Sequence, residues 1–159
     1  MSNFTTMQFL ELRVPPLVVA LFMAGLGWIT AWMSPRFDFI IPYQRVAVLT
    51  VVASGICVAL LGASSFRRAR TTLNPLKPRE SSRLVTSGIY RRTRNPMYLG
   101  MLMVLLGWAF FLSNLLVFLF LPAFILYMNR FQIAPEERVL ASMFGQEFSA
   151  YQTKVRRWL

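Results

Sequence analysis

Long apolar runs alternate with short polar stretches along this chain, and the length of each run decides what it can form. The first run extends from about Pro15 to Met33 and the second from about Val46 to Phe66, and neither contains a charge. At roughly 1.5 Å per residue, the second run covers about 31 Å, the full thickness of a bilayer's hydrocarbon core. Pro15 and Pro16 suit a helix start, where the first amide hydrogens have no intrahelical partner anyway. Trp28 and Trp32 lie near the other end, where indole rings favour the membrane interface. The first run is too long for a signal-peptide core and is followed by Trp32-Met33-Ser34-Pro35 rather than a small-x-small site, so it reads as a retained anchor. In the second, Gly55, Ala59, Gly62 and Ala63 form a small-residue stripe, a mark of close helix packing rather than of chemistry.

A third uncharged stretch, Tyr98 to Asn129, is 32 residues long. That is too much for one span and too little for two full ones. Ser113-Asn114 divides it into arms of about 15 residues, each reaching about 22 Å, which predicts a tight hairpin that barely crosses or locally thins the bilayer. Pro122 is expected to kink the second arm. The remainder is polar and helical in pattern. Pro135 opens a helix with Glu136 and Glu137 in its first turn, where the positive helix end favours acids. Leu140, Met143, Phe144, Phe148 and Tyr151 recur at helical spacing, interrupted by Gly145, and Arg156, Arg157 and Trp158 read as an interfacial anchor. The predicted fold is an all-α integral membrane protein with about four transmembrane helices, including a short C-terminal helical hairpin, plus a cytoplasmic tail helix. It forms one domain over residues 1–159, with two generic spans in 1–66 and a loop, hairpin and tail in 67–159.

Composition agrees with a bilayer environment: 56% of residues are hydrophobic, 14% are charged, and mean hydropathy is +0.51, against roughly 25% charged residues in an ordinary soluble domain. Net charge is +11, from 17 basic residues and 6 acids. Nine of the basic residues lie between Arg67 and Arg94, facing Glu80 alone. The turn signals Asn74-Pro75, Lys77-Pro78 and Ser87-Gly88 make that stretch a folded loop. The basic residues cap apolar runs and fill loops, which is explained by orientation with this loop and both termini in the cytoplasm, and not by a nucleic-acid partner. The lone Cys57 allows neither an intramolecular disulfide nor a cysteine zinc cluster, and the absence of His removes the commonest metal ligand and neutral-pH base. No metal is expected. The oligomeric state cannot be read from the sequence.

Two features stand out from this background. The stretch Leu84 to Gly100 holds Gly88 and Gly100, which permit close backbone approach, Arg94 and Asn95, which can bind a carboxylate, and Tyr90 and Tyr98, which can wall a flat group. A basic juxtamembrane loop with interfacial tyrosines accounts for it equally well on physics alone. The second feature is Glu136-Glu137. Adjacent acids at a helix start usually serve as capping charge, and their functional use would be to bind a ribose diol or an ammonium group.

Taken together, Gly88, Tyr90, Arg94, Asn95, Pro96, Tyr98 and Gly100, then Glu136, Glu137, Phe144, Gly145, Tyr151 and Val155-Arg156-Arg157-Trp158, resemble isoprenylcysteine carboxyl methyltransferases, their bacterial relatives and the related phospholipid N-methyltransferases. Thr71 to Pro75 also looks like the bacterial branch. The resemblance covers about the last 95 residues and implies S-adenosylmethionine as methyl donor and a lipophilic small molecule or lipid as acceptor, at a bacterial inner membrane with a cytoplasmic site. On this resemblance Arg94 and Asn95 belong to the catalytic centre and hold the methionine end of the donor with Tyr98 and Gly100. Leu84, Val85 and Tyr90 would flank the adenosine, Glu136 and Glu137 would bind the ribose or amino group, and Gly88 and Pro96 would complete the site. Eukaryotic members carry His where this chain has Asn95, so that position cannot transfer protons here. A sterol-type membrane reductase and a non-enzymatic scaffold or transport subunit are the competing readings. The acceptor, whether carboxylate, amine or thiol, stays open.

Overall fold

A computed structural model describes residues 11–69 and 83–159 of the chain. The turn signals at Asn74-Pro75 and Lys77-Pro78 and the Thr71 to Pro75 motif lie outside the described residues. Among the described residues five α-helices follow in order: α1 (Pro16–Met33), α2 (Gln44–Ala69), α3 (Pro96–Leu112), α4 (Phe120–Met128) and α5 (Ala134–Lys154). The architecture is all-helical and suited to a membrane. Helices α1 and α2 and the continuous helical stretch Leu115–Lys154 are each long and apolar enough to cross, while α3 is an apolar helix of 17 residues. At 1.5 Å per residue α3 reaches about 26 Å, still short of a full core.

Burial is inverted relative to a soluble protein. Leu21, Phe22, Trp28, Trp32, Leu49, Leu60 and Leu126 are all exposed, as lipid-facing side chains must be. The core lies where α1, α3 and α4 meet, around Val19, Ala20, Tyr98, Leu105, Phe124 and Met128.

Helices α2 and α3 pack closest of all, and their glycines are the reason. A Cβ added to Gly100 would lie 2.5 Å from the Gly55 carbonyl oxygen and 2.8 Å from Ala59 Cβ. One added to Gly55 would lie 2.8 Å from the Gly100 carbonyl oxygen, and one on Gly62 would meet Pro96 at 3.0 Å. The small-residue stripe of α2 is thus the seat of α3, as membrane helices without a hydrophobic drive to associate require.

Ser113-Asn114 breaks the hairpin and also fastens it. Ser113 closes α3 in the left-handed region at φ 50°. Asn114 is fully buried: its Oδ1 accepts from Leu116 N, and its Nδ2 donates to Asp38 Oδ1 at 2.7 Å and to the Ser34 carbonyl at 2.8 Å. Gln44 Nε2 reaches the Phe110 and Phe111 carbonyls, each at 2.9 Å. The α1–α2 linker is thereby tied to the hairpin tip by bonds that satisfy the backbone groups a helix end leaves open.

The kink expected at Pro122 takes a different form. The segment Leu115–Leu119 is wound as a 3-10 helix, and Pro122 falls in the first turn of α4, where a missing amide hydrogen costs little. A π-helical turn, Asn129–Ile133, then leads without a break into α5. The interruption at Gly145 is real: its φ of 48° and ψ of −119° lie outside helical space within α5, a conformation that glycine alone adopts freely.

Candidate active site

Two stretches far apart in sequence meet at one end of the bundle: the run from Leu84 through Tyr98, and the π turn with the start of α5. A π turn takes one more residue than an α turn and so redirects everything after it, and such turns recur at functional sites. Here the turn is braced from the N-terminal side. Leu12 N donates to the Phe131 carbonyl at 3.1 Å, and the buried Gln132 donates from Nε2 to the Val14 carbonyl at 2.6 Å. Glu11 pairs with Arg130 and Arg138.

The brace presents Glu136 and Glu137 to the other stretch, and the two acids have different partners. Glu136 Oε1 accepts from the Tyr98 hydroxyl at 2.5 Å. No cation is paired with Glu136 among the described residues. Glu137 is held by two guanidiniums, with Arg94 Nη2 at 3.0 Å and Arg157 Nη2 at 2.6 Å. Its hydrogen bonds hold the Arg157 guanidinium above the usual arginine range, against the opposing effect of burial. Arg94 is 12% exposed, and its Nε and Nη1 are buried with no hydrogen-bond partner among the described residues. The site therefore holds an arginine with two unpartnered donors, Nε and Nη1, and a second acid, Glu136, that no cation pairs among the described residues. Buried polar atoms are almost always paired, so these two Arg94 donors stand out.

Tyr90 forms one wall. It is buried, its ring meets Phe66 edge-on at 5.4 Å, and its carbonyl accepts from the Tyr151 hydroxyl at 2.6 Å. Burial pushes its phenol above the ordinary tyrosine range, and the nearby Tyr151 and Glu136 push further in the same direction. Val85 is buried, and Leu84 packs against the cluster of Phe148, Tyr151 and Val155 from α5 and the segment after it.

The structure therefore gathers Tyr90, Arg94, Tyr98, Glu136 and Glu137 into one locus, with Leu84 and Val85 against its α5 side. Of the other expected site residues, three are packed against α2 and one is bonded to the segment after α5. Gly100 is taken up by the contact with α2, Pro96 sits on Gly62, and a Cβ on Gly88, whose φ is 64°, would lie 3.1 Å from Ser65 Oγ. Asn95 donates from Nδ2 to the Arg157 carbonyl at 3.0 Å. Sequence reasoning missed the segment Val155 to Trp158 as part of the site. Thr93 Oγ1 donates to the Arg157 carbonyl at 3.1 Å, Arg94 N to the Arg156 carbonyl at 3.0 Å, and Trp158 Nε1 to Asn129 Oδ1 at 3.0 Å. The sequence carried it in the family-like motif and otherwise as a basic, aromatic membrane anchor, with no role among the site residues.

An uncharacterized protein of Haemophilus influenzae is 52% identical over 63 residues, which is 40% of this chain and all of that protein. A protein-S-isoprenylcysteine O-methyltransferase of Tribolium castaneum is 34% identical over 111 residues, covering 64% of this chain and 38% of the relative. A probable protein-S-isoprenylcysteine O-methyltransferase of Oryza sativa subsp. indica is 32% identical over 114 residues, covering 70% of this chain and 58% of the relative. The chain thus spans less than two thirds of the length of these two named methyltransferases. The phospholipid methyltransferase family pattern matches residues 43–147, which include α2, α3, α4, both acids and the arginine of the site. This chain is a membrane-embedded member of the phospholipid methyltransferase family.

Proposed function

We propose that the protein transfers a methyl group from S-adenosylmethionine to a lipophilic acceptor at the membrane surface. The observation that carries this reading is the presence in one locus of Arg94 donors without partners and a Glu136 carboxyl that only the Tyr98 hydroxyl holds, among the described residues. An amino-acid group, with its carboxylate and ammonium close together, complements that pair. Arg94 would take the carboxylate, Glu136 the ammonium, and Tyr90 with Leu84 and Val85 would flank the nucleoside. The donor, once bound, supplies an electrophilic methyl, and the protein's share is to position it and exclude water. No proton need be moved by Asn95, whose side chain is engaged with a backbone carbonyl. Membership of a methyltransferase family favours this reading over a reductase or a scaffold.

An acceptor with a hydrocarbon tail fits the neighbouring surface. A groove of about 720 Å³ runs between α1 and α2 over the face of α3. Ala20, Ala24, Gly25, Ala59, Gly100 and Met101 line it, and Met101 packs on the core that contains Tyr98. Its lining would hold an apolar chain without desolvating any polar group. The direct test is a thermal shift with S-adenosylmethionine in detergent. Wild type should be stabilised, and Glu136→Gln, which keeps an acceptor for Tyr98 but loses the charge, should lose most of that shift. A full shift in Glu136→Gln would reduce this acid to a helix cap.

We infer that the site faces the cytoplasm of a bacterial inner membrane, because Arg67, Arg68, Arg83, Arg91 and Arg92 are exposed on its side of the bundle. A cysteine at position 80, with Cys57→Ser as background, should be labelled by an impermeant reagent only after the membrane is opened. Labelling of intact cells would reverse the topology.

A further inference from the structure

Glu137 lies between two guanidiniums, and they hold it unequally. Arg157 takes both oxygens, with Nε at 3.1 Å and 3.2 Å and Nη2 at 2.6 Å from Oε2. Arg94 receives Oε1 alone, at 3.0 Å from Nη2, and its Nε and Nη1 are left buried without partners among the described residues. Arg157 also caps the stretch around Arg94 with its own carbonyl, which accepts from Thr93 and Asn95. A carboxylate and a guanidinium free to choose pair through two parallel hydrogen bonds. Released from Arg157, Glu137 would turn its second oxygen to Arg94 and cancel the charge there.

We propose that Arg157 is a positioning residue that acts through Glu137: by occupying this carboxylate it keeps the Nε and Nη1 of Arg94 free for the carboxylate of a ligand. The inference rests on the donor-site reading above and adds a residue that was assigned no part in it. Three charged side chains, two positive and one negative, leave a net positive charge at Arg94 only while Arg157 is present. Lysine would hold Glu137 less firmly, because an ammonium has no rigid planar fork.

The test compares S-adenosylmethionine affinity in lipid nanodiscs across a small set of variants. Arg157→Ala should bind about tenfold more weakly than wild type and Arg157→Lys less weakly than that. Adding Glu137→Gln to Arg157→Ala should return most of the affinity, because an amide cannot neutralise Arg94. A role confined to holding the fold predicts the opposite, since the double variant removes a second side chain from the same contact. Ligand-free melting temperatures report the fold separately. Should Arg157→Ala fail to fold, the same comparison is made between Arg157→Lys and Arg157→Lys/Glu137→Gln. Affinity unchanged in the single variant, or no recovery in the double one, overturns the role of Arg157 and leaves the donor site standing. A folded wild type that binds no S-adenosylmethionine overturns both.

Discussion

Gly100→Ala should lower the melting temperature in detergent by several degrees, while Gly25→Ala in α1 should leave it unchanged or raise it. The two glycines lie in apolar helices of similar composition, and only their surroundings differ. A Cβ on Gly100 would meet the Gly55 carbonyl oxygen at 2.5 Å, backbone that cannot swing aside, whereas one on Gly25 meets nothing within 4 Å. Overpacking typically costs about 1–3 kcal/mol, and here relief requires α2 and α3 to separate along their closest line of contact. At Gly25 alanine removes the entropic penalty of glycine, about 0.5–1 kcal/mol in a helix. Separation of α3 from α2 also displaces Tyr98, two residues from Gly100, so S-adenosylmethionine binding should weaken along with stability. Equal melting temperatures for the two variants would show that the glycine stripe does not set the helix spacing.

Arg94→Ala should abolish most donor binding with little loss of fold. A hydrogen bond to a charged group contributes about 1.5–3 kcal/mol, so losing one guanidinium–carboxylate contact should weaken affinity by about 10–100-fold. The fold survives because Glu137 keeps all three of its bonds to Arg157 and is not left as an unpaired buried charge. Arg94→Lys should recover little, since a point-like ammonium cannot replace Nε and Nη1 together. Calorimetric titration with S-adenosylmethionine decides it. Unchanged affinity in a folded Arg94→Ala protein would make the basic run a topology signal and nothing more.

The membrane helices were legible in the sequence because hydropathy acts over whole segments. The run expected from Pro15 to Met33 is α1 to within one residue, and the run from Val46 to Phe66 is α2 shortened by two or three residues at each end. Ser113-Asn114 and Gly145 were readable because a polar pair or a glycine has few uses inside an apolar or helical stretch. The 3-10 winding before Pro122, which places it in a first turn, is something local sequence does not announce. Within the locus, Tyr98 and the two acids could be singled out because each is a rare residue type in its setting, whereas Arg94, one of nine basic residues in its stretch, was marked only by its place beside Asn95-Pro96 in the motif. The division between them could not. That Glu137 is held by arginines and Glu136 by a tyrosine hydroxyl depends on the rotation set by the π turn. The contacts of Thr93 and Asn95 with the Arg157 carbonyl join residues more than sixty positions apart. A main-chain acceptor has no residue identity for a motif to record.

That long separation also fixes when the site can exist during synthesis. A ribosome makes Thr93, Arg94 and Asn95 well before the carbonyls of Arg156 and Arg157 that receive them. In the interval the whole α3–α4 hairpin is made and can enter the bilayer. A nascent chain that already holds every apolar helix therefore still has an open, unbraced Arg94 loop. Insertion and assembly of this locus are separate events, and a chain halted between them is a membrane protein without the proposed donor site.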